Sequence, residues 1–502
     1  MTAWNDLLQF LQELADIQAA IALLDWDQQT KMPPKGASAR AYQLATLQGI
    51  AHERLTSPAL RAVLEVVERE GDGPPPFTGD AAVGLLRETR RAVERAVKLP
   101  TVFVKELAEA SSRAFESWHR ARSTSQFSLF REDLARIVDL KRREAAYIGY
   151  TVTPYDALHD QYEPGQSTAT TTAVLTRIRQ PIVTLLRAIQ QSGREPSRSI
   201  LTQHFPTDQQ WKFGLDVLRA MGFDFEAGRQ DTSPHPFTTS FSPSDVRITT
   251  RVYDHELPVA LFGTIHEGGH ALYEQGFAPE FARTPLAASP SLGMHESQSR
   301  LWENIVGRSA PFWHYWYPRL TEAFPAQLGN VAEEDFLLAI NHVRPSFIRV
   351  EADEVTYNLH IILRFELEVA LIEGTLEVNN LPEVWNQKMV ELLGIVPERD
   401  ADGVLQDVHW SYGSFGYFPT YTLGTLYSAQ IFAALRRTFP DFADRLVRGD
   451  LLFIREWLRE QIHRHGATYQ AEELVRRVTG EPLNPQYFLD YLQQKYALLY
   501  GL

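Results

Sequence analysis

The sequence predicts a mainly α-helical protein with one small antiparallel sheet. Apolar residues recur at three- and four-residue steps through most of the chain, as they do over residues 4–24, and this spacing is typical of amphipathic helices. Residues 235–241 and 245–253 instead alternate and are rich in β-branched side chains, and we interpret them as two short antiparallel strands. This hairpin lies immediately before a helix that carries the pattern His-Glu-x-x-His.

The same periodicity predicts helices along the rest of the chain. They are expected near residues 38–55, 80–149 in several pieces, 168–193, 207–221, 333–345, 352–372, 382–393, 423–437, 450–465 and 485–499. Aromatic residues crowd residues 312–317, and we interpret them as core or interface. We find no internal repeat and no long linker that would separate an independent domain.

Composition restricts the function. The net charge is −14 and the sequence pI is about 5.6, so a nucleic-acid surface is not expected. The chain contains no Cys, which excludes disulfides and thiolate metal sites and is compatible with the cytoplasm. The N-terminus lacks the features of a signal peptide. We judge that no apolar run reaches the length of a membrane span, so no membrane partner is expected.

The His-Glu-x-x-His pattern consists of His266, Glu267 and His270. Positions i and i+4 of an α-helix lie on one face, so both imidazoles can bind one Zn²⁺ from the same side. Glu267 then projects beside the metal, where it can reach a water molecule. The alternative is a helix whose two His residues are solvated or satisfied within the core.

The residues around this pattern suit a buried helix. Pro258 stands near the expected helix start, where Pro is tolerated. Gly276 stands just past the last turn, where a helix C-cap belongs. Gly268 and Gly269 are unfavourable inside a helix by roughly 1 kcal/mol each relative to Ala. We interpret them as a sign of close packing or of a ligand approaching the backbone.

A catalytic zinc site needs a third protein ligand and an open position. Without Cys, that ligand should be His, Glu or Asp, and residues 289–303 offer Glu296, with His295 as the rival. Ser291 is expected to cap the helix that carries them. A further carboxylate should orient the ligand imidazoles, and Glu303 and Asp353 are both possible.

Three other regions suggest chemistry. The hairpin is consistent with pairing to the main chain of a peptide, and equally with an ordinary strand pair that covers the core. Residues 348–354 contain an Arg and three carboxylates. Residues 403–421 are rich in Gly and Tyr and carry His409, so this loop is suited to donating hydrogen bonds to an oxyanion.

These stretches, in this order, resemble the Taq-type zinc metallocarboxypeptidases, a gluzincin-like family, over nearly the whole chain. The matching motifs are Leu24–Asp27 with Met32-Pro33, His235–Phe237, Asp245–Thr249, His266–His270, His295–Gln298, Ile348–Asp353 and Gly403–Trp410. The resemblance implies a large helical metallopeptidase with a deep active-site groove, a small sheet beside the metal helix, and a homodimer. It also implies one catalytic unit, residues 1–502, in which residues 1–150 form a helical cap or groove wall and residues 151–502 hold the metal site.

The resemblance assigns the zinc ligands to His266, His270 and Glu296. Glu296 lies 30 residues after His266, which fits the family pattern and favours it over His295. Glu267 would be the general base that activates water and then protonates the leaving amine.

In the same family pattern, His409 and Tyr421 would stabilise the tetrahedral oxyanion. Tyr412 and Tyr417 are near in sequence, so the choice of Tyr is looser than the choice of His.

A carboxypeptidase must recognise a free α-carboxylate, to which Arg is suited through its bidentate fork. Arg349 and Arg247 lie in the two Arg-containing motifs and are our candidates for this contact. The alternative is that they form structural ion pairs, for instance with Asp353 or Asp245.

We therefore expect a cytoplasmic metallocarboxypeptidase that uses Zn²⁺, with Co²⁺ possible, and releases single amino acids from peptides with a free C-terminus. One alternative is an endopeptidase or dipeptidyl carboxypeptidase with the same metal motif. The other is a helical peptide-binding protein without catalytic activity.

Overall fold

In a computed structural model, which describes residues 2–502, the chain forms 21 α-helices and three β-strands. The N-terminal part contains α1 (Ala3–Thr30), α2 (Ala37–Leu55), α3 (Pro58–Glu70), α4 (Asp80–Lys98), α5 (Thr101–Thr124) and α6 (Arg131–Ile148). The middle part contains α7 (Pro154–His159), α8 (Thr168–Gln191), α9 (Thr207–Met221), β1 (Gly228–Thr232), β2 (Thr238–Ser242), β3 (Asp245–Thr250), α10 (Leu257–Glu274), α11 (Leu292–Arg300), α12 (Ala310–Ala323), α13 (Pro325–Leu328) and α14 (Glu333–Ile340). The C-terminal part contains α15 (Tyr357–Glu373), α16 (Leu381–Leu393), α17 (Pro419–Thr438), α18 (Phe442–Val447), α19 (Leu452–Gln461), α20 (Ala471–Thr479) and α21 (Gln486–Tyr500). The predicted mainly helical class is confirmed.

The sheet has the strand order β1-β3-β2. β2 and β3 pair antiparallel, as predicted, but β1 pairs parallel with β3, so the expectation of a purely antiparallel sheet is wrong. The sequence of β1, Gly-Arg-Gln-Asp-Thr, has no alternating apolar pattern. The sequence therefore contains no local pattern that would predict this strand. Gly228 permits this pairing, since a Cβ there would lie 2.3 Å from the carbonyl oxygen of Val246.

The sheet lies against α10, with Val246 and Ile248 of β3 buried in the core beneath it. Successive side chains of a strand point to opposite faces, so Arg247 points away from this core. β2 forms one edge of the sheet, and all five of its residues are half-buried. The predicted hairpin is thus positioned to bring one strand edge beside the His-Glu-x-x-His helix.

Three clusters of buried apolar side chains hold the helices together. The cluster around α10 includes Phe312, Trp313, Trp316 and Tyr317 of α12, which confirms that this aromatic stretch is core. The N-terminal cluster combines α1, α3 and α4 with Leu286 from the segment after α10.

Among residues 2–502, one helix, α1, is long enough and apolar enough to cross a membrane, judged by length and composition alone. By this measure the expectation that no segment reaches a membrane span is wrong. In the structure α1 contacts α2, α3 and β2, and Leu7, Leu11 and Leu14 on its inner face are buried. Part of the apolar content of α1 therefore contributes to the N-terminal core.

Candidate metal centre and active site

The helix α10 carries the His-Glu-x-x-His pattern as predicted, and Pro258 stands in its first turn. The cap residue of α10 is Gln275, in a right-handed conformation, and Gly276 follows it without a positive φ. A Cβ on Gly276 would lie 2.5 Å from Cβ of His463. Gly276 is therefore required for close packing against the C-terminal part of the chain.

Gly268 and Gly269 allow other elements to approach α10 closely. A Cβ on Gly268 would lie 2.5 Å from Cδ2 of Leu218 in α9. A Cβ on Gly269 would lie 2.7 Å from Cα of Ser299 and 2.8 Å from the carbonyl oxygen of Gln298, both in α11. The unfavourable glycines inside α10 are thus explained by packing, and Gly269 sets the distance to the helix that carries Glu296.

The two imidazoles of α10 meet the carboxylate of Glu296 from α11. Oε2 of Glu296 lies 3.4 Å from Nε2 of His270 and 3.8 Å from Nε2 of His266. One ligand atom from each of the three residues lies within 4.8 Å of the others. Ser291 caps α11, as predicted, by accepting a hydrogen bond from the Met294 N–H. Two nitrogen atoms and one oxygen atom converge as a donor set suited to Zn²⁺ or Co²⁺.

His295 is not part of this donor set. Its Nε2 lies 2.9 Å from Oε1 of Glu274, and its ring stacks on that of His270 at a centroid distance of 4.4 Å and an interplanar angle of 16°. His295 therefore restricts the orientation of the His270 imidazole.

Glu303 is the carboxylate that orients His266, with Oε2 2.8 Å from Nδ1 of the imidazole. Glu303 belongs to a π-helical segment, Leu301–Val306, that directly follows α11, and such segments are frequent at functional sites. The other candidate, Asp353, instead accepts hydrogen bonds from Thr356 at the start of α15. A hydrogen bond to Nδ1 leaves Nε2 as the nitrogen that faces the metal position.

Carboxylates and arginines surround the two imidazoles of the centre. Burial alone would raise the pKa of Glu296, but Arg300, His266 and His270 outweigh it and hold the pKa well below its usual range. Burial likewise opposes ionisation of Glu303, yet its neighbours lower the pKa to about 2. Burial disfavours the charged form of His266, but Glu296 and Glu303 raise its pKa to about 9. Burial and the neighbouring His295 instead lower the pKa of His270 to about 3, so the two imidazoles of the centre shift in opposite directions.

Arg300 completes the support of Glu296. Its Nε donates a hydrogen bond of 2.7 Å to Oε1, the carboxylate oxygen that does not face the two imidazoles. Its guanidinium also lies 4.3 Å from the ring centre of Tyr357. Oε1 of Glu296 is thus bound by Arg300, while Oε2, which also accepts a hydrogen bond of 3.2 Å from Ser299 Oγ, faces the two imidazoles.

Glu267 lies beside this centre and is 7% exposed. Burial raises its pKa above the usual range of a carboxyl group. Its Oε2 accepts a hydrogen bond of 2.6 Å from Oγ1 of Thr238 on β2. The sequence reasoning missed Thr238, although it directly follows the His235–Phe237 motif.

His409 and Tyr421 are neighbours, with 3.5 Å between Nε2 of the imidazole and the phenol oxygen. Tyr417 is also close, with its ring centre 5.4 Å from that of each of them. Tyr412 is 52% exposed and stacks on Phe115 instead. The geometry therefore leaves Tyr417 and Tyr421 as candidates and places Tyr412 elsewhere.

α17, which carries Tyr421, packs on α11, which carries Glu296. A Cβ on Gly424, one turn after Tyr421, would lie 2.7 Å from Cβ of Glu296. Residues three apart share a helix face, so Tyr421 projects toward the same centre. Burial is the main reason that the pKa of Tyr421 lies well above 10, and burial also lowers the pKa of His409 to about 4. Both side chains are therefore neutral near neutral pH.

Glu368 of α15 anchors the loop before α17. This buried carboxylate accepts hydrogen bonds from the Gly416 N–H at 3.0 Å and from Nε1 of Trp410 at 2.8 Å. The carbonyl oxygen of Gly416 lies 2.9 Å from Nδ1 of His159. Sequence reasoning missed Glu368 and His159, because nothing local connects either residue to this loop.

Arg349 and Arg364 share one partly buried carboxylate, Asp407. Arg349 donates through Nε at 3.0 Å and through Nη2 at 2.8 Å, and Nε of Arg364 donates at 2.6 Å. Arg349 thus forms the kind of structural ion pair that was the alternative to a substrate contact, but with Asp407 rather than with Asp353. Two cations around one anion leave a buried excess of positive charge.

Tyr357 links this positive cluster to the metal centre. Nη1 of Arg349 donates a hydrogen bond of 2.9 Å to the Tyr357 hydroxyl, and Arg300 packs on the ring of the same Tyr. Arg300 in turn holds Glu296. The Arg349 guanidinium is thus separated from the metal ligand by two side chains.

Arg247 forms an ion pair with Asp245, with 2.9 Å between Nε and Oδ1. This pair is the alternative to a substrate contact that the sequence suggested. Its guanidinium also lies 4.4 Å from the ring centre of Trp26 and 4.8 Å from that of Phe241. These contacts join the end of α1 to the sheet.

Comparison with known proteins identifies the family. A family model described as carboxypeptidase Taq (M32) metallopeptidase matches residues 6–496. Thermostable carboxypeptidase 1 of Thermus thermophilus is 45% identical, and carboxypeptidase 1 of Bacillus subtilis is 38% identical. Both alignments cover 99% of this chain and 99% of the relative.

The fold agrees with this relationship. The crystal structure of the M32 carboxypeptidase of Deinococcus radiodurans is similar with a TM-score of 0.96 at 38% sequence identity, over 100% of both chains. The family decides between the functions considered from the sequence, because its members are carboxypeptidases rather than endopeptidases or non-catalytic binding proteins. The chain therefore belongs to the carboxypeptidase Taq (M32) family of metallopeptidases and is a metallocarboxypeptidase that releases C-terminal residues from peptides.

Proposed function

We propose that this carboxypeptidase holds Zn²⁺, or Co²⁺ as a competent substitute, on His266, His270 and Glu296. The observation that carries the proposal is the convergence of one donor atom from each residue within 4.8 Å, on two helices held together at Gly269. The cation would supply Lewis acidity, which lowers the pKa of water and polarises the scissile carbonyl.

Glu267 is the general base in this proposal. Burial raises its pKa, which makes the carboxylate a stronger base at neutral pH than an exposed Glu. It takes a proton from the attacking water as the new C–O bond forms at the scissile carbon. It then gives that proton to the leaving nitrogen as the C–N bond breaks.

His409 and Tyr421 stabilise the negative charge that develops on the scissile carbonyl oxygen. Both groups are neutral, and a neutral donor keeps its proton while it hydrogen-bonds to an oxyanion. The support for this role is their mutual distance of 3.5 Å and the packing of α17 on the helix of Glu296.

Arg349 binds the free α-carboxylate of the substrate. The support is the excess positive charge that Arg349 and Arg364 leave around Asp407, because a second carboxylate would balance that charge. Arg247 is retained as a second candidate anchor, although its ion pair with Asp245 and its contact with Trp26 favour a structural role.

The edge strand β2 offers a place for the substrate main chain. It runs beside α10 and carries the partner of Glu267, Thr238, so a peptide paired with it would lie near the general base. This position favours the peptide-pairing hypothesis for the hairpin over a purely structural one.

The test combines metal analysis with product analysis. We expect about one equivalent of zinc per chain, and mass spectrometry of a digested peptide should show ladders that lose one C-terminal residue at a time. E267Q should retain the metal and lose nearly all activity. Equal activity of E267Q and the wild type would overturn the assignment of the base, and internal cuts or dipeptide release would overturn the mode of cleavage.

We further propose a cytoplasmic homodimer. The support for the location is the absence of Cys and the packing of the apolar face of α1 within the N-terminal core. The support for the dimer is the family resemblance alone. Light scattering on the purified protein would measure the mass, and a value of one chain, 57.1 kDa, would overturn the dimer.

A further inference from the structure

We propose that the Thr238 hydroxyl is the positioning group for the Glu267 carboxylate in peptide hydrolysis. This inference rests on the proposed role of Glu267 as the general base. It goes beyond that role by assigning the group that determines where the carboxylate points.

The contact between the two residues is direct. Oγ1 of Thr238 lies 2.6 Å from Oε2 of Glu267 and 3.1 Å from the main-chain carbonyl oxygen of the same residue. A hydroxyl has one proton, and the shorter distance assigns it to the carboxylate. Within residues 2–502, no other side chain forms a hydrogen bond with the Glu267 carboxylate. One hydroxyl thus restrains the rotation of a buried carboxylate.

The strand determines the direction of this hydroxyl. Thr238 pairs with Ile248 across the sheet and lies on the same face as that buried residue, toward α10. The β-branched side chain of Thr is stiff at χ1, so the backbone of β2 fixes the position of Oγ1. Placement of the base is therefore coupled to the strand that we propose pairs with the substrate.

The contact should affect the chemical step more than binding. Glu267 must lie within hydrogen-bond reach of the attacking water, and a misplacement of about 1 Å can reduce the rate by about a hundredfold. The Thr238 hydroxyl forms no hydrogen bond with His266, His270 or Glu296, or with Arg349. Loss of the hydroxyl should consequently lower kcat and leave KM and metal content unchanged.

The experiment uses two substitutions at Thr238 and one matched control. T238V keeps the branched shape but removes the hydroxyl, and it should lower kcat by about ten- to a hundredfold at unchanged KM. T238S keeps the hydroxyl and should recover most of the lost kcat. T321V removes the half-buried hydroxyl of Thr321, which bonds within α12 to the Tyr317 carbonyl, and should have wild-type kinetics.

The controls separate the possible failures. Zinc content and thermal unfolding of all variants show whether the metal centre and the fold are intact. If E267Q is inactive but T238V has wild-type kcat, the role of Thr238 is refuted and that of Glu267 stands. If E267Q remains active, the proposed function itself fails. A T238V variant that changes KM alone, or one that T238S fails to recover, also refutes the positioning role.

Discussion

The packing of α10 on α11 predicts that a single methyl group at Gly269 will damage the metal centre. In G269A the new Cβ would lie 2.7 Å from Cα of Ser299 and 2.8 Å from the Gln298 carbonyl oxygen. Both contacts are with backbone, which cannot rotate away. Restoring the 3.4 Å of ordinary contact requires the helices to separate by about 0.7 Å.

This separation acts directly on the ligands. Glu296 lies one turn before Ser299 on α11, and its Oε2 is 3.4 Å from Nε2 of His270 on α10. We expect G269A to lose about 1–3 kcal/mol of stability from overpacking and at least about tenfold in zinc affinity. Alanine has a better helix propensity than glycine by about 1 kcal/mol, so any net loss must come from the interface.

Gly263 and Gly268, on the same helix, provide the comparison. A Cβ on Gly263 would meet only Oγ1 of Thr250, at 3.4 Å, so G263A should be neutral or stabilising. A Cβ on Gly268 would meet the end of the Leu218 side chain, which can move, so G268A should cost less than G269A.

Denaturant unfolding and zinc competition with a chelator of known affinity measure both effects. A G269A protein with wild-type stability and zinc affinity would refute the claim that this glycine sets the distance between the ligand helices.

Three further predictions follow from the same structure. E303Q removes the negative acceptor of His266 Nδ1 and should weaken zinc binding by about 10- to 100-fold in a chelator competition. D353N, away from the metal, should bind zinc like the wild type. R349A should raise KM for peptides and reduce the preference for free over amidated C-termini in steady-state assays. An unchanged preference would show that Arg349 does not bind the α-carboxylate of the substrate. Burial lowers the pKa of His463 in the folded protein to about 3. As the pH falls, this imidazole is therefore protonated in the unfolded chain before it is protonated in the folded one. The free energy of unfolding should consequently decrease as the pH drops from about 6.5 toward 3. H463Q should make this decrease smaller, measured as the free energy of unfolding against pH. The same decrease in H463Q and in the wild type would show that His463 does not contribute to it.

Much of the fold follows from local sequence patterns. The helix predicted over 207–221 coincides with α9, and the predictions near 168–193 and 382–393 differ from α8 and α16 by at most two residues at either end. These segments have clear apolar periodicity, which depends only on neighbouring residues. β1 and α12 were not predicted as a strand and a helix. β1 lacks alternation, and α12 contains aromatic residues around Pro318, so their structure depends on partners elsewhere in the chain.

The candidate site divides in the same way. The spacing of His266 and His270 identifies two candidate metal ligands within one helix, since the α-helical repeat alone places them together. Thr238 and Asp407 could not be identified in this way. Their roles arise from contacts with Glu267 and Arg349, which are 29 and 58 residues away in sequence.

The sequence by itself determined the metal helix, the helical class and, through its ordered motifs, the resemblance to the family. Each of these depends on residue type at a fixed spacing, which a chain carries before it folds. Tertiary structure alone decided that Glu303 rather than Asp353 orients His266 and that Arg349 pairs with Asp407. It also decided which element approaches each glycine of α10. Those outcomes depend on how helices distant in sequence pack, and no local spacing encodes that distance.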